Sequence, residues 1–271
     1  MNLKRTIVLN CVLAALILSW GCHSYNVRPD VSAEERFEIA KKMFSRKHYF
    51  EAKNQFKILT LNNPGLPFMD EAQFLLAECH FHLKEYILAA DEYNRLLRLY
   101  PKSQWLDDAE FMIGMCNYKL SPKPSLDQKY TVEAVNSFQR FLEDFPKSDL
   151  VPKAEKLLKT CRTKLAKKEY KAGELYRKLH YYEAAVVYFS SVIDNYYDTE
   201  YVKPALYWKG ECLYRLAKNV ESMETFQELV RKYPTSQLVV KARQRMREIE
   251  AELLKTREAN GIAPDHSQTK N

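Results

Sequence analysis

The stretch AECHFHLKEYILAADEYNRLLRLYP, residues 77–101, decides the fold. Ala77 is followed twelve positions later by a second small residue, Ala89, then four on by Tyr93 and eight on by Pro101. The same order stands upstream in Ala40, Ala52, Phe56 and Pro64, and downstream in Gly210, Ser222, Phe226 and Pro234. Gly173, Ala185 and Phe189 keep the spacing, with Tyr197 in the place of proline. In Gly114, Ala134, Phe138 and Pro146 the small positions are 20 residues apart rather than 12. The surplus coincides with Ser121-Pro122-Lys123-Pro124-Ser125, a loop by composition. Five copies of one pattern, with the irregularity confined to a loop, identify internal repeats. Six glycines in 271 residues, among abundant Glu, Lys, Leu and Ala, make the repeated unit helical.

Two antiparallel helices approach closely only where small residues face each other, which the first two template positions supply. The aromatic on the second helix is expected to fill the gap to the next pair, and the proline to stop that helix and turn the chain. In this the pattern resembles the tetratricopeptide repeat, although Pro64 to Pro101 and Tyr197 to Pro234 each span 37 residues, against about 34 in that family. A single pair cannot bury its apolar face alone, so the pairs must stack. The expected fold is all-α: a superhelical array of about five tetratricopeptide-like helix–turn–helix repeats with a C-terminal capping helix. The repeats fall at about 33–64, 70–101, 107–146, 166–197 and 203–234, within a domain of 33–258. Residues 237–258, with Val239, Val240, Met246, Ile249 and Leu253, read as the cap, and 259–271 as a disordered tail.

The N-terminus carries an address. Lys4 and Arg5 precede an apolar run, Ile7 to Leu18, too short to span a membrane, so residues 1–21 read as a cleaved signal peptide. The run ends in Ser19-Trp20-Gly21-Cys22, which resembles the bacterial lipobox, with Ser19 and the bulky Trp20 departing from its usual pattern. The resemblance implies an acyl chain on Cys22, a tether over 22–32 and, with His23 rather than Asp next, sorting to the outer membrane, facing the periplasm.

Aromatic-Pro-x-Ser turns recur in Tyr100-Pro101-Lys102-Ser103, Phe145-Pro146-Lys147-Ser148 and Tyr233-Pro234-Thr235-Ser236, where serine is placed to cap the next helix. The insertion carries Asp127, Gln128 and Thr131, and Leu165-Ala166-Lys167-Lys168-Glu169-Tyr170 stands as a linker before the fourth repeat. With the lipobox and five repeats, these features are similar to the BamD (ComL/YfiO) family of outer-membrane β-barrel assembly lipoproteins. That resemblance implies a non-enzymatic scaffold of the Bam complex. Its partners would be a BamA-like barrel subunit, other Bam lipoproteins and unfolded outer-membrane protein precursors. Another lipid-anchored periplasmic adaptor, serving peptidoglycan synthesis or division, is the alternative.

Counting the first small residue of each repeat as position 8, position 5 holds Phe37, Phe74, Phe111, Tyr170 and Tyr207, and position 12 holds Phe44, Phe81, Tyr118, Arg177 and Tyr214. Seven apart, the two positions share a face of the first helix. Phe37, Phe44, Phe74, Phe81, Phe111 and Tyr118 are candidates for a groove taking an extended, aromatic-ended peptide, or else they are inter-repeat core. Tyr170, Arg177, Tyr207 and Tyr214 are candidates for partner docking by the C-terminal repeats. Position 4, commonly apolar, is polar in Arg36, Gln73, Glu110 and Glu169.

Cys79, Cys116 and Cys212 share position 10 and, with Cys161, read as buried free thiols. His80 and His82 point about 200° apart on a helix and cannot chelate one metal together. The net charge is +7, or +5 once Lys4 and Arg5 leave, with both signs interleaved. No basic face for nucleic acid is concentrated, and no nucleotide loop, nucleophile elbow or zincin motif is present. Neither a catalytic site, a cofactor nor a metal is expected.

Overall fold

A computed structural model describes residues 27–28 and 30–259. Cys22, the signal segment, most of the tether and the tail from 260 onward lie outside the described residues. The chain divides into two compact units, 1–92 and 93–271, with the boundary inside one helix.

The first unit contains α1 (Ala33–Ser45), α2 (Tyr49–Asn62), α3 (Met69–His82) and the start of α4 (Tyr86–Leu99). Ser32 caps α1 by accepting from the Glu35 amide at 3.1 Å, and Glu34 and Glu35 favour the same end of the dipole. The second unit takes in the rest of α4, then α5 (Leu106–Leu120), α6 (Lys129–Asp144), α7 (Val151–Lys178), α8 (Tyr182–Asn195), α9 (Val202–Arg215), α10 (Asn219–Lys232) and α11 (Leu238–Ala259). The described residues form tetratricopeptide-like helical hairpins, and no strand occurs among them.

The hairpins close on residues that are not glycine. Lys47, Lys84, His180 and Ala217 adopt φ of 57–66° at the turns of the first, second, fourth and fifth hairpins. Each turn is a Schellman cap: the His48 amide donates to Met43 O and Lys47 to Phe44 O, as Lys218 does to Leu213 O and Ala217 to Tyr214 O. Between hairpins, helices end at Asn63, Phe145 and Tyr233, and proline follows the cap. Tyr196-Tyr197-Asp198-Thr199 makes the same turn without proline, the Thr199 amide donating to Tyr196 O. The serines of these turns do not occupy the cap position. The hydroxyls of Ser148 and Ser236 accept from the amides of Leu150 and Leu238, two residues on, and so tighten the approach to the helix.

One expectation is extended and another changes. The aromatic of each second helix shares a core with the helix that follows, Phe138 with Ala154, Phe189 with Ala205 and Phe226 with Ala242, and also presses on the first helix of its own repeat. A Cβ on Gly114, Gly173 or Gly210 would meet Cε1 of Phe138, Phe189 or Phe226 at 2.6–2.7 Å. In addition, Leu165–Tyr170 is not a linker but the middle of α7, one helix of 28 residues. Ala154, Cys161 and Leu165 in its first half join the core of Phe111, Phe138 and Phe141. Tyr170 in its second half joins Ala185 and Phe189. One helix thus closes the third repeat and opens the fourth.

At the C-terminal end α11 packs on α9 and α10 through Val239, Ala242 and Ile249. Val240 and Leu253 are exposed rather than part of its packed face, and the helix runs through Ala259.

Candidate functional site

The two ring positions of the first helices differ in depth. At position 5, Phe37, Phe74, Phe111 and Tyr170 are buried. Phe37 lies between Phe68, stacked at 4.6 Å, and the edge of Phe56 at 6.1 Å. Phe111 meets Phe138 and Phe141, Tyr170 meets Phe189 and Tyr201, and half-buried Tyr207 meets Phe226. Burial pushes the Tyr170 phenol up to about 12. These rings pack within and between hairpins. At Phe37, Phe74, Phe111 and Tyr170 their burial favours the core alternative over the groove.

Position 12 is half-buried in every repeat. It stands two residues before the helix's C-cap in all four Schellman hairpins, where the chain leaves the packed interior. In the first unit Phe44 stands edge-on to Tyr49 and to His82, while Phe81 stands edge-on to Tyr86. Tyr118 packs beside the third repeat's core. Tyr214 is taken by the capping helix: its hydroxyl donates to Glu252 at 2.7 Å and the Arg245 guanidinium covers its ring at 4.7 Å. Arg177 lies 3.9 Å from the Trp208 ring centre, and its buried Nε has no hydrogen-bond partner. It lines a cleft of about 350 Å³ with Lys178, His180 and Arg215. Of the four docking candidates, Arg177 is the one that lines this cleft.

Position 4 carries a role that its polarity concealed. Arg36 donates to Gln55 at 2.5 Å, and Gln73 donates to Glu92 O at 2.9 Å, the same link displaced by 37 residues. Each ties the first helix to the second of its own hairpin. Glu110 faces Arg140 at 3.3 Å, and burial keeps its carboxyl above the usual range despite that partner. The identical 19-residue offset from 36 to 55 and from 73 to 92 is the signal that reveals these pairs.

The insertion of the third repeat is a built loop. Lys164 Nζ donates to Ser121 Oγ at 2.6 Å, which contacts Thr131 Oγ1, which donates to Gln128 Oε1 at 2.6 Å. Gln128 Nε2 in turn donates to the carbonyls of Lys123 and Leu126. The chain of donors replaces the Schellman cap that the other hairpins use.

The four described cysteines are buried and free. Burial lifts Cys79 far above a free thiol, Cys212 to about 12 and Cys161 to about 11, so they remain protonated and unreactive. His80 Nδ1 pairs with Glu85 at 2.6 Å, while His82 stacks on Tyr49 at 4.3 Å. Among the described residues no group of His, Cys, Asp and Glu is placed to hold a metal, and no helix is long and apolar enough to cross a membrane.

A family model described as outer membrane lipoprotein, YfiO, matches residues 29–219, and a tetratricopeptide-repeat model matches residues 204–236. No curated protein matches the chain. Among solved structures, the TPR2AB domain of yeast Sti1 in complex with pHSP90 is similar at 15% identity and a TM-score of 0.40, covering 85% of this chain and 87% of its own. MamA from Desulfovibrio magneticus RS-1 is similar at 14% and 0.34, covering 76% and 97%. A thermophilic tetratricopeptide repeat protein of Thermus thermophilus is similar at 12% and 0.34, covering 81% and 100%. No function is carried over from these.

Proposed function

The chain belongs to the YfiO family of outer membrane lipoproteins, and from that premise we propose that it is the non-enzymatic scaffold of an outer-membrane β-barrel assembly complex. It is held to the membrane by an acyl chain on Cys22 and faces the periplasm. It binds a BamA-like barrel subunit, companion lipoproteins and unfolded barrel precursors. The observation that carries this reading is the family match over residues 29–219. Helical hairpins with buried seams and half-exposed first-helix ends support a binding rather than a catalytic role.

Within that role, Phe44 and Phe81 form the peptide-contacting rims of the first unit, with Tyr118 their counterpart in the second. Arg177 is the docking residue of the C-terminal repeats, because its guanidinium, stacked on the Trp208 indole, lines a cleft with Lys178, His180 and Arg215 that suits a partner's carboxylate. Depletion of the protein in its host, with folded outer-membrane barrels measured by heat-modifiable gel mobility, tests the assembly reading. Folded barrels are expected to fall, and a large barrel subunit to co-purify with the tagged chain. Unchanged barrel levels would instead leave an adaptor of peptidoglycan synthesis or division. Replacing Phe44 and Phe81 with alanine is expected to abolish photo-crosslinking to an aromatic-ended precursor peptide while the melting temperature changes little. Retained crosslinking removes the rim assignment.

A further inference from the structure

The eight-residue insertion of the third repeat does more than bridge two helices. Its tip, Lys123-Pro124-Ser125, stands across a cleft of about 590 Å³ from α7, whose side of the cleft is Lys167, Lys168, Lys171, Ala172 and Leu175. Four lysines line this cleft and no carboxylate does. Lys168 is spent on holding the loop, donating to Leu126 O at 3.0 Å, and Lys171 reaches Glu174 at 2.5 Å. Lys123 and Lys167 make no ion pair among the described residues. The loop's position is fixed from beneath by Gln128 and Thr131, both buried, so the cleft is preformed.

The walls are apolar where the rims are basic. Leu175 is 55% exposed, Leu179, one turn on, 53%, and Leu126 on the loop 56%. Ala172 and Leu175 on α7 and Leu179 at its C-cap follow at intervals of three and four, the apolar spacing of a seam that receives another helix. An isolated leucine on a surface needs no explanation, but Leu175 in the wall of a braced, lysine-lined cleft, with Leu126 and Leu179 exposed just outside its lining, does.

We infer that this cleft docks an acidic amphipathic helix of a partner protein, with apolar residues against Leu175 and Leu179 and carboxylates meeting Lys123 and Lys167. Charge complementarity selects the partner's sign, and the seam's spacing selects a helix over an extended strand. The site is independent of the first-helix rims and of the assembly role proposed above.

Fluorescence anisotropy on the mature full chain tests this, with a labelled 15-residue helical peptide bearing a glutamate face beside a leucine face. The same peptide with glutamine for glutamate is the control. The acidic peptide is expected to bind and the amide peptide to bind about tenfold more weakly, with the difference vanishing at high salt. Lys123→Gln with Lys167→Gln is expected to weaken the acidic peptide about fivefold to tenfold, and Leu175→Ser to weaken both peptides. Thermal melts of these surface variants confirm that the fold is unchanged. Equal affinity for the two peptides, insensitivity to these substitutions, or no binding overturns the inference. So does flotation of the chain with vesicles of phosphatidylglycerol and phosphatidylethanolamine that is lost in the lysine variants while peptide binding is not, since the cleft would then be a membrane contact.

Discussion

In the first unit the complete hairpin has an alanine, Ala40, at the first small position of its template and Phe56 as its aromatic; in the second, three hairpins have glycine there, packed against phenylalanine. The difference is geometric. Phe138, Phe189 and Phe226 each occupy the space that a methyl would need, and each lies 5.6–5.9 Å from the position-5 ring at interplanar angles of 49–53°. Phe56, in the hairpin that has Ala40 instead, stands more nearly edge-on to Phe37, at 6.1 Å and 65°. One sequence template therefore supports two packings. Where glycine is used, helix propensity is given up, about 1 kcal/mol relative to alanine, and the ring descends onto bare backbone. Where alanine is used, the helix is intrinsically better and the ring meets its aromatic partner more nearly edge-on.

The comparison is sharpened most by removing the ring. Phe189→Ala is expected to cost about 3–5 kcal/mol, because Gly173 has no side chain to relax into the void. Phe56→Ala is expected near the lower end of that range, since its hairpin has the buried Ala40 where the other has glycine. Urea unfolding of both variants measures the gap, and equal losses would show that the seam residue is irrelevant to the ring's fit. Exchanging the seam residue gives a smaller effect. Gly173→Ala gains helix propensity but drives a methyl into Phe189, for a net loss of about 1–2 kcal/mol. Ala40→Gly is expected to lose about as much, from propensity and a buried methyl. If Gly173→Ala instead raises the melting temperature, Phe189 has room to move and the two packings are interchangeable.

The hairpins themselves were legible because their period is written in small, aromatic and proline residues at fixed intervals. How closely the aromatic also presses on the first helix of its own repeat was not, because spacing along the chain does not give the depth to which a ring descends. Continuity of α7 was available: no glycine or proline occurs from Lys153 to Ala172, and only the regular repeat length suggested a break there. The candidate face was half-legible. Positions 5 and 12 share an azimuth, so periodicity groups them, but depth depends on where the helix ends. Position 5 lies amid the hairpin and sinks; position 12 lies beside the cap and surfaces. That Tyr214 is consumed by α11 follows from the capping helix's path, which no local pattern encodes.

The turns present the next contrast, because all four left-handed caps lack glycine. An L residue in that conformation costs about 1–2 kcal/mol, so Ala217→Gly is expected to stabilise the second unit by about 1 kcal/mol, and Lys47→Gly the first by a similar amount. Thermal melts check both. A decrease in either would mean that the side chain, rather than the backbone, holds that turn.

The smallest expected effects distinguish the units by their ion clamps. In the second unit Arg162 on α7 donates to both oxygens of Asp198 at 2.6–3.0 Å and to Asn195 O at 2.9 Å, fastening the turn after α8. The hydrogen bonds from Arg162 hold the Asp198 carboxyl below its ordinary value. In the first, burial raises Glu85, but hydrogen bonds from Lys53 and His80 outweigh it and leave that carboxyl below its ordinary value too. A carboxyl whose folded pKa is depressed adds stability above its unfolded pKa of about 4, and that stability drains as pH falls through the lower folded value. Both side chains are about a third exposed, so solvent screens each pair and the contribution at neutral pH is under about 1 kcal/mol. Asp198→Asn is expected to flatten the dependence of melting temperature on pH below about 4, and Glu85→Gln to flatten it less, because the guanidinium clamp is bidentate and also fixes a carbonyl. An acid limb that keeps its slope in Asp198→Asn would show that the second unit's sensitivity to acid arises elsewhere. A larger flattening in Glu85→Gln would reverse the ranking and make the first unit the more acid-labile of the two.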